Sequence, residues 1–522
     1  MAIRFVVDLP SNFAALDAVI VVVYLAAALV VGIVANRRIE SVAGYLVGGR
    51  AAGPALNSAS YVGTGLGLVT LMYASIDAFS NGFAYVTLAL IGFAVAVFLG
   101  LTGFVIGPLR RMELLTISEF FERRFDRRTR VLGGSVGALA GILNMGLFPK
   151  MGATFVTFLT GTSLTAPGSE TTVNLVMTLL IFLVITYTML GGMLSVLVTD
   201  YMQFVVLGIG LFVGVLACLM HPELGWSRIV GAMAEHRGER MFNPVADGGY
   251  GWIWVAFNVV VFLASAICWA PEASRALTAR DERVARLTFL LAAPGQFVRL
   301  GIPALFAAAL FCFAAARPDL QMHFFPAGLA NDPVHAEQAM PFLLSRILPT
   351  GLLGLVAAGL LAAFMSTHDS YLLCWSSVLT HDVIGPLRGG ALGPAEQIRM
   401  TRFGVLGIGL FLLVWGVWYE LPESVWTYMA VTGTIYMSGA TVVLIGGLYW
   451  RRASSAGALA ALLGGLVAVA GLFRDELASI TGVALRGEVI GLGSFAFCAI
   501  LFVGFSLAFP EDDARRRAGD DR

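Results

Sequence analysis

Charge is what this chain has least of. Only 13% of its 522 residues are charged, and its 33 basic residues include a single lysine, Lys150. Acidic and basic residues balance to a net charge of zero, which argues against nucleic acid as a partner. Cysteine is also scarce. Cys218, Cys268, Cys312, Cys374 and Cys498 each stand alone in an apolar run, without the spacing of a disulfide framework or a soft-metal site, so they read as packing residues. A glycine-rich phosphate loop is missing, so nothing points to ATP-driven pumping. No nucleophile–base constellation stands out, which removes the case for an intramembrane hydrolase. The longest stretches between apolar runs, 221–250 and 317–350, are too short for a soluble domain.

What remains is apolar. Hydrophobic residues make up 58% of the chain, and runs of about twenty recur from end to end, each long enough to cross a hydrocarbon core of about 30 Å. The reading is an all-α polytopic membrane protein with about 13 transmembrane helices. They are expected at 14–36, 51–78, 83–108, 131–162, 172–190, 193–219, 251–274, 287–316, 351–378, 401–420, 424–449, 455–473 and 487–509. The first run is too long for a signal-peptide core and lacks a cleavage-site pattern, so it is expected to be a retained helix. Arginine sets the orientation: with the N-terminus outside, 23 arginines, Arg275 among them, fall in inner loops and the tail, against 8 outside. The expected location is therefore the cell (inner) membrane, with the C-terminal tail 510–522 cytoplasmic and the lipid bilayer as surroundings. The inner stretch LLTISEFFERRFDRRTR suits the inner membrane surface.

Against this background one carboxylate is conspicuous. Asp200, in GGMLSVLVTDYMQ, is the only ionisable Asp, Glu, Lys, Arg or His between positions 171 and 220. An aspartate at the centre of a membrane helix costs roughly 2.5–3.5 kcal/mol on insertion scales, so it usually faces a cavity, an ion or a partner helix. Two readings stand: a helix–helix hydrogen bond, or a cation site. A second segment, 351–382, favours the latter. On a helix, Ser366, Asp369 and Ser370 share one face, with Thr367 beside Ser366. Hydroxyl and carboxylate oxygens in a dry bundle are hard ligands of the kind that suit sodium.

These segments resemble the sodium/solute symporter family, its sodium/proline and sodium/glucose carriers included. GGMLSVLVTDYMQ is similar to that family's GG-x-x-(A/S)-V-x-x-T-D-x-x-Q hallmark, and AAFMSTHDSYLLCWSSVLTHD to its A-x-x-S-T helix. LTISEFFERRF resembles its T-x-x-E loop, and RALTARDERVAR its R-x-L-A-A-(K/R)-D-E loop. Four motifs in order cover nearly the whole chain. The resemblance implies a leucine-transporter-like core of two inverted five-helix repeats, each opening with a broken helix. Here the repeats would be 51–219 and 251–449, flanked by peripheral helices at 14–36 and 455–509. In the first broken helix, Gly63, Gly65 and Gly67 of SYVGTGLGLVT would let the backbone unwind, or would simply allow tight packing.

The resemblance further implies a sodium site from carbonyls near Gly63 and Leu66 and of Ala363, with the hydroxyls of Ser366 and Thr367. A second cation site, present in some members, would use Asp200, Ser366, Asp369 and Ser370. Departures from the pattern matter. Asp369 stands where many members carry a hydroxyl. His368 stands where an apolar residue is common, and either packs against a neighbour or brings protons into the coupling. The sugar carriers' aromatic gate has no clear counterpart near Ser265, and the proline carriers' aspartate is missing from GTGLG. Arg299 falls where sugar-carrying relatives place a substrate-facing lysine; it either meets the solute or pairs with an acid. Lys150 either reaches the outer interface or joins Arg299 in holding a carboxylate.

The expected function is sodium-coupled symport importing a small polar organic solute by alternating access, not catalysis. The expected partners are sodium ion, solute and bilayer, with the single chain as the working unit. Substrate contacts are assigned to Lys150, Ser265 and Arg299. A proton-coupled carrier and a solute sensor of the same fold are the alternatives.

Overall fold

The computed structural model describes residues 11–35, 41–161, 169–389, 392–419, 425–483 and 485–511. Arg4, Arg37, Arg38 and the tail arginines that entered the orientation argument lie outside them. The described chain is almost wholly helical; the isolated bridge between Ala52 and Ala279 is its β contact. The helices that build the site are α1 (Ala15–Ala35), α2 (Pro54–Gly65), α3 (Leu68–Asn81), α4 (Thr87–Thr102), α5 (Ile117–Arg124) and α6 (Arg127–Asn144). They continue with α7 (Phe148–Leu159), α8 (Ser169–Met220), α9 (Trp252–Cys268), α10 (Ala270–Thr278), α11 (Glu282–Ala292), α12 (Ile302–Ala315), α13 (Leu352–Val378) and α14 (Pro394–Trp418).

Among the described residues, ten helical stretches are long and apolar enough to cross a membrane, and eleven if the bent pair α9/α10 counts as one. A shorter apolar helix covers Ala15–Val31. The difference from about 13 lies in how breaks divide the chain. Leu68–Thr102 is one apolar stretch of 35 residues, interrupted at Gly82 (φ 61°), where spans 51–78 and 83–108 were expected to part. Conversely, α8 runs over 52 residues but contains Gly192 at φ 54° and ψ −166°, which divides it at the expected boundary. A Cβ at Gly192 would lie 2.6 Å from the Tyr45 ring, so the residue is needed both for its backbone and for its lack of a side chain.

Two broken helices position the site. α2 ends at Gly65; Leu66 (φ −90°, ψ 51°) caps it with its N–H on Val62 O, and Gly67 is extended before α3 begins. In the second, Trp269 is extended (φ −71°, ψ 113°), α9 and α10 bend by 48°, and Pro271 opens α10, where its missing N–H costs nothing. A π-helical turn, Phe297–Gly301, separates α11 from α12, and such turns recur at functional positions.

Other contacts pin this frame. Asp17 of α1 accepts from the Ala14 N–H (2.9 Å) and, with its other oxygen, from the Gly351 (2.7 Å) and Gly354 (2.6 Å) N–H groups. One carboxylate thus caps its own helix and the exposed N–H groups at the start of α13. The basic stretch LLTISEFFERRF folds into α5 through a reciprocal cap. Thr116 Oγ1 accepts from Glu119 N–H (3.2 Å), Glu119 accepts from Leu115 N–H (2.7 Å), and Thr116 donates to the buried Asp382 (2.8 Å). Asp382 also meets Arg130 Nε at 2.9 Å.

Candidate functional site

The serine–threonine pair of α13 faces the break after α2. Ser366 Oγ lies 3.0 Å from Gly63 O and 3.2 Å from Ala363 O, and Thr367 Oγ1 lies 3.2 Å from Thr64 O. Both side chains are buried. α13 can lie this close to the break because Gly67 has no side chain: a Cβ there would stand 2.3 Å from Thr367 Oγ1. Leu66 sits in the break itself and is buried, while Thr64, not singled out in the sequence, supplies the second facing carbonyl. This set is all oxygen, neutral and dry. The hydroxyls donate to carbonyls here, and each can turn a lone pair toward a small hard cation instead. The residues therefore fit a monovalent ion such as sodium.

The second cation position is different. Asp200 is fully buried, and its Oδ2 accepts from Ser60 Oγ (2.5 Å) and from Arg275 Nη2 (3.0 Å). Arg275, also fully buried, donates from Nη2 to Thr64 Oγ1 (2.6 Å) and Ser370 Oγ (2.7 Å), and from Nε to Ser60 Oγ (3.1 Å). Two expectations are corrected. Arg275 is not an inner-loop topology charge, because its guanidinium is inside the bundle. The set Asp200, Ser366, Asp369 and Ser370 does not converge on a vacant centre in this conformation, because the chain's own guanidinium takes Asp200 and Ser370. Asp369 is turned elsewhere: its Oδ2 accepts from the Tyr187 hydroxyl at 2.9 Å. His368 packs. Its ring lies 3.9 Å from that of Phe364, centroid to centroid, and its Nδ1 is 2.7 Å from Phe364 O.

Next to the break lies a cavity of about 810 Å³, open space at its mouth included, lined in part by Tyr61, Ser265, Trp269, Glu272, Gln296 and Arg299. Glu272 is part of its lining: Oε2 accepts from Ser265 Oγ (2.8 Å) and Oε1 from Arg299 Nη1 (3.3 Å). The reading of Arg299 as paired with an acid thus describes this conformation, and the pair itself faces the cavity. Gly65 brings the pair to the broken helix, since a Cβ there would lie 2.9 Å from Arg299 Nη1 and 3.5 Å from Glu272 Oε1. Ser265 and Arg299 both line this cavity. Lys150 does not: it lies outside the cavity, and its Nζ donates to Tyr419 O (2.8 Å), just past the end of α14. Glu272 was missed, although the rule that singled out Asp200 applies to it, as the only carboxylate in 251–274.

Comparison with known proteins identifies the family and the fold. The family model described as "Sodium:solute symporter family" matches residues 45–465. The sodium/sialic acid symporter SiaT of Proteus mirabilis is 24% identical over 469 residues, covering 85% of this chain and 87% of the relative. The sodium/mannose cotransporter SLC5A10 of Bos taurus is 26% identical over 503 residues, covering 86% and 77%. Among solved structures, the substrate-bound, outward-open state of a Na+-coupled sialic acid symporter superposes with a TM-score of 0.77 at 20% identity, covering 95% of this chain and 99% of that one. MhsT in complex with L-phenylalanine gives 0.53 at 12% identity, covering 88% and 98%. The fold is the one these two solved structures share.

Proposed function

Because the chain belongs to the sodium:solute symporter family, we propose that it draws a small polar organic solute into the cell together with one sodium ion, bound where the break after α2 meets α13. Sodium-coupled symport of a small organic solute is the activity of the family, and the chain is a transporter, not an enzyme. The ligands proposed for sodium are the carbonyls of Gly63 and Ala363 and the hydroxyls of Ser366 and Thr367, with Leu66 carrying the turn and Thr64 O beside it. The solute is assigned to the neighbouring cavity, with Ser265, Arg299 and Glu272 as its polar contacts.

The observation that carries this reading is the adjacency of the two sites on one broken helix. Gly67 abuts the α13 hydroxyls and Gly65 abuts the Glu272–Arg299 pair. An ion drawing α13 onto the break therefore also sets the wall of the solute cavity. Sodium and solute then favour a shared closed state, and rocking of the core against the rest alternates access. The Arg275–Asp200 pair supports a single sodium ion, since a fixed positive charge stands at the second position. The arginine asymmetry supports an inner-membrane protein with the N-terminus outside and the C-terminus inside. The repeats are assigned to 51–219 and 251–449.

Ser366→Ala tests the assignment. It should raise the half-saturating sodium concentration for uptake into proteoliposomes far more than Ser376→Ala. Ser376 lies on the same helix, but its hydroxyl only bonds back to Leu372 O. Equal effects would remove the sodium site from this position.

A further inference from the structure

The cavity carries a charge arrangement that narrows the solute. Glu272 and Arg299 provide one negative and one positive group side by side, and their link is a single 3.3 Å contact. Arginine and carboxylate more often meet through two parallel bonds at 2.7–2.9 Å. Both groups have capacity to spare: Nη1 is the Arg299 nitrogen with a partner among the described residues, while its buried Nε has none. Gln296, also in the lining, has its Oε1 buried without a partner among the described residues. Ser265 donates to Glu272, and Arg299 lies within the π-helical turn Phe297–Gly301.

We propose that the solute is a zwitterion: its carboxylate takes Arg299 and its cationic nitrogen takes Glu272, opening the pair that joins them now. This rests on the assignment of the solute to this cavity. The physical reason is charge balance in a dry site. A zwitterion replaces one intramolecular pair by two intermolecular ones and leaves neither of these largely desolvated charges alone. A plain carboxylate would satisfy Arg299 but leave Glu272 unpaired and repelling it; a plain amine would do the reverse. Removing one partner of a buried pair is strongly unfavourable, so each half-charged analogue is selected against. A neutral polyol leaves the pair closed and meets only its free edges. The aromatic walls, Tyr61 and Trp269 among them, suit the apolar body between the two charged ends.

The test is thermal stabilisation of the full-length purified protein by the twenty standard amino acids, glycine betaine, the desamino acid and carboxamide of each amino acid, and D-glucose, in sodium chloride and in potassium chloride. At least one zwitterion should raise the melting temperature in sodium only, while its desamino acid and its amide, at tenfold higher concentration, do not. In Glu272→Gln the preference for that zwitterion over its desamino acid should shrink at least tenfold, and in Arg299→Gln its preference over the amide should do the same. The unmodified protein decides the matter alone if either variant fails to fold. Stabilisation by no zwitterion, or by an acid, an amide or glucose as strongly as by the best zwitterion, overturns the inference. A sodium-dependent shift by glucose that Ser366→Ala abolishes would do so while leaving sodium-coupled symport intact. A shift independent of sodium for every ligand would instead bring down the coupling.

Discussion

Gly67→Ala should uncouple the protein from sodium without unfolding it. Gly67 has φ −73° and ψ 155°, a conformation alanine adopts freely, so the backbone carries no penalty. The added methyl would lie 2.3 Å from Thr367 Oγ1, 3.1 Å from its Cβ and 3.2 Å from its Cγ2. Turning the threonine does not clear the clash, because its Cβ is itself too near. The break after α2 must therefore withdraw from α13 at the proposed sodium ligands. Overpacking of this kind costs about 1–3 kcal/mol. If it falls on the sodium-bound state, at about 1.36 kcal/mol per tenfold, the half-saturating sodium concentration rises roughly 5- to 150-fold. Gly208→Ala, on α8, is the control, since nothing lies within 4 Å of a Cβ there and sodium dependence should stay near native. Gly65→Ala should instead weaken solute binding, with sodium-induced stabilisation retained, because its methyl meets Arg299 Nη1 at 2.9 Å. Sodium titrations of thermal stability and of uptake in proteoliposomes read all three. Unaltered sodium dependence in Gly67→Ala, or an equal loss in Gly208→Ala, would refute the assignment of this joint.

Three further outcomes are expected. Asp17→Ala should lower thermal stability by about 0.5–2 kcal/mol, the range for losing a helix cap, measured by detergent-solubilised unfolding; Asn at the same position should recover part of it. Burial pushes the Glu119 carboxyl up, but His381, the Leu115 N–H and Arg123 outweigh it and bring it from 4.5 down to about 2. Its folded value lies below its unfolded one, so it contributes stability that is complete above pH 4.5 and lost as pH falls toward 2. Glu119→Gln should therefore flatten the acid limb of the stability curve over that interval. Lys150→Gln should leave both solute and sodium affinities within about twofold of native, because its ammonium serves the Tyr419 carbonyl; a selective loss of solute binding would return it to the cavity.

The sequence by itself determined the membrane class, the helix-rich architecture, the break at Gly192 and the face of α13 that presents Ser366 and Thr367. These follow from short-range rules: run length against bilayer thickness, helical periodicity, and glycine where φ is positive. It also marked Asp200, since an isolated charge in an apolar run stands out without a structure. Only tertiary packing decided what each charge does. Arg275 lies beside a loop in sequence and reads as a topology signal, yet the bend between α9 and α10 carries it inward onto Asp200, 75 positions earlier. Glu272 and Arg299 are 27 positions apart and face one cavity because a helix bend and a π-turn aim them there. Asp17 caps a helix more than three hundred positions away. The reason is physical: periodicity fixes which face a side chain occupies, whereas the partner of a buried charge depends on how helices cross, and that is settled by packing between segments distant in sequence.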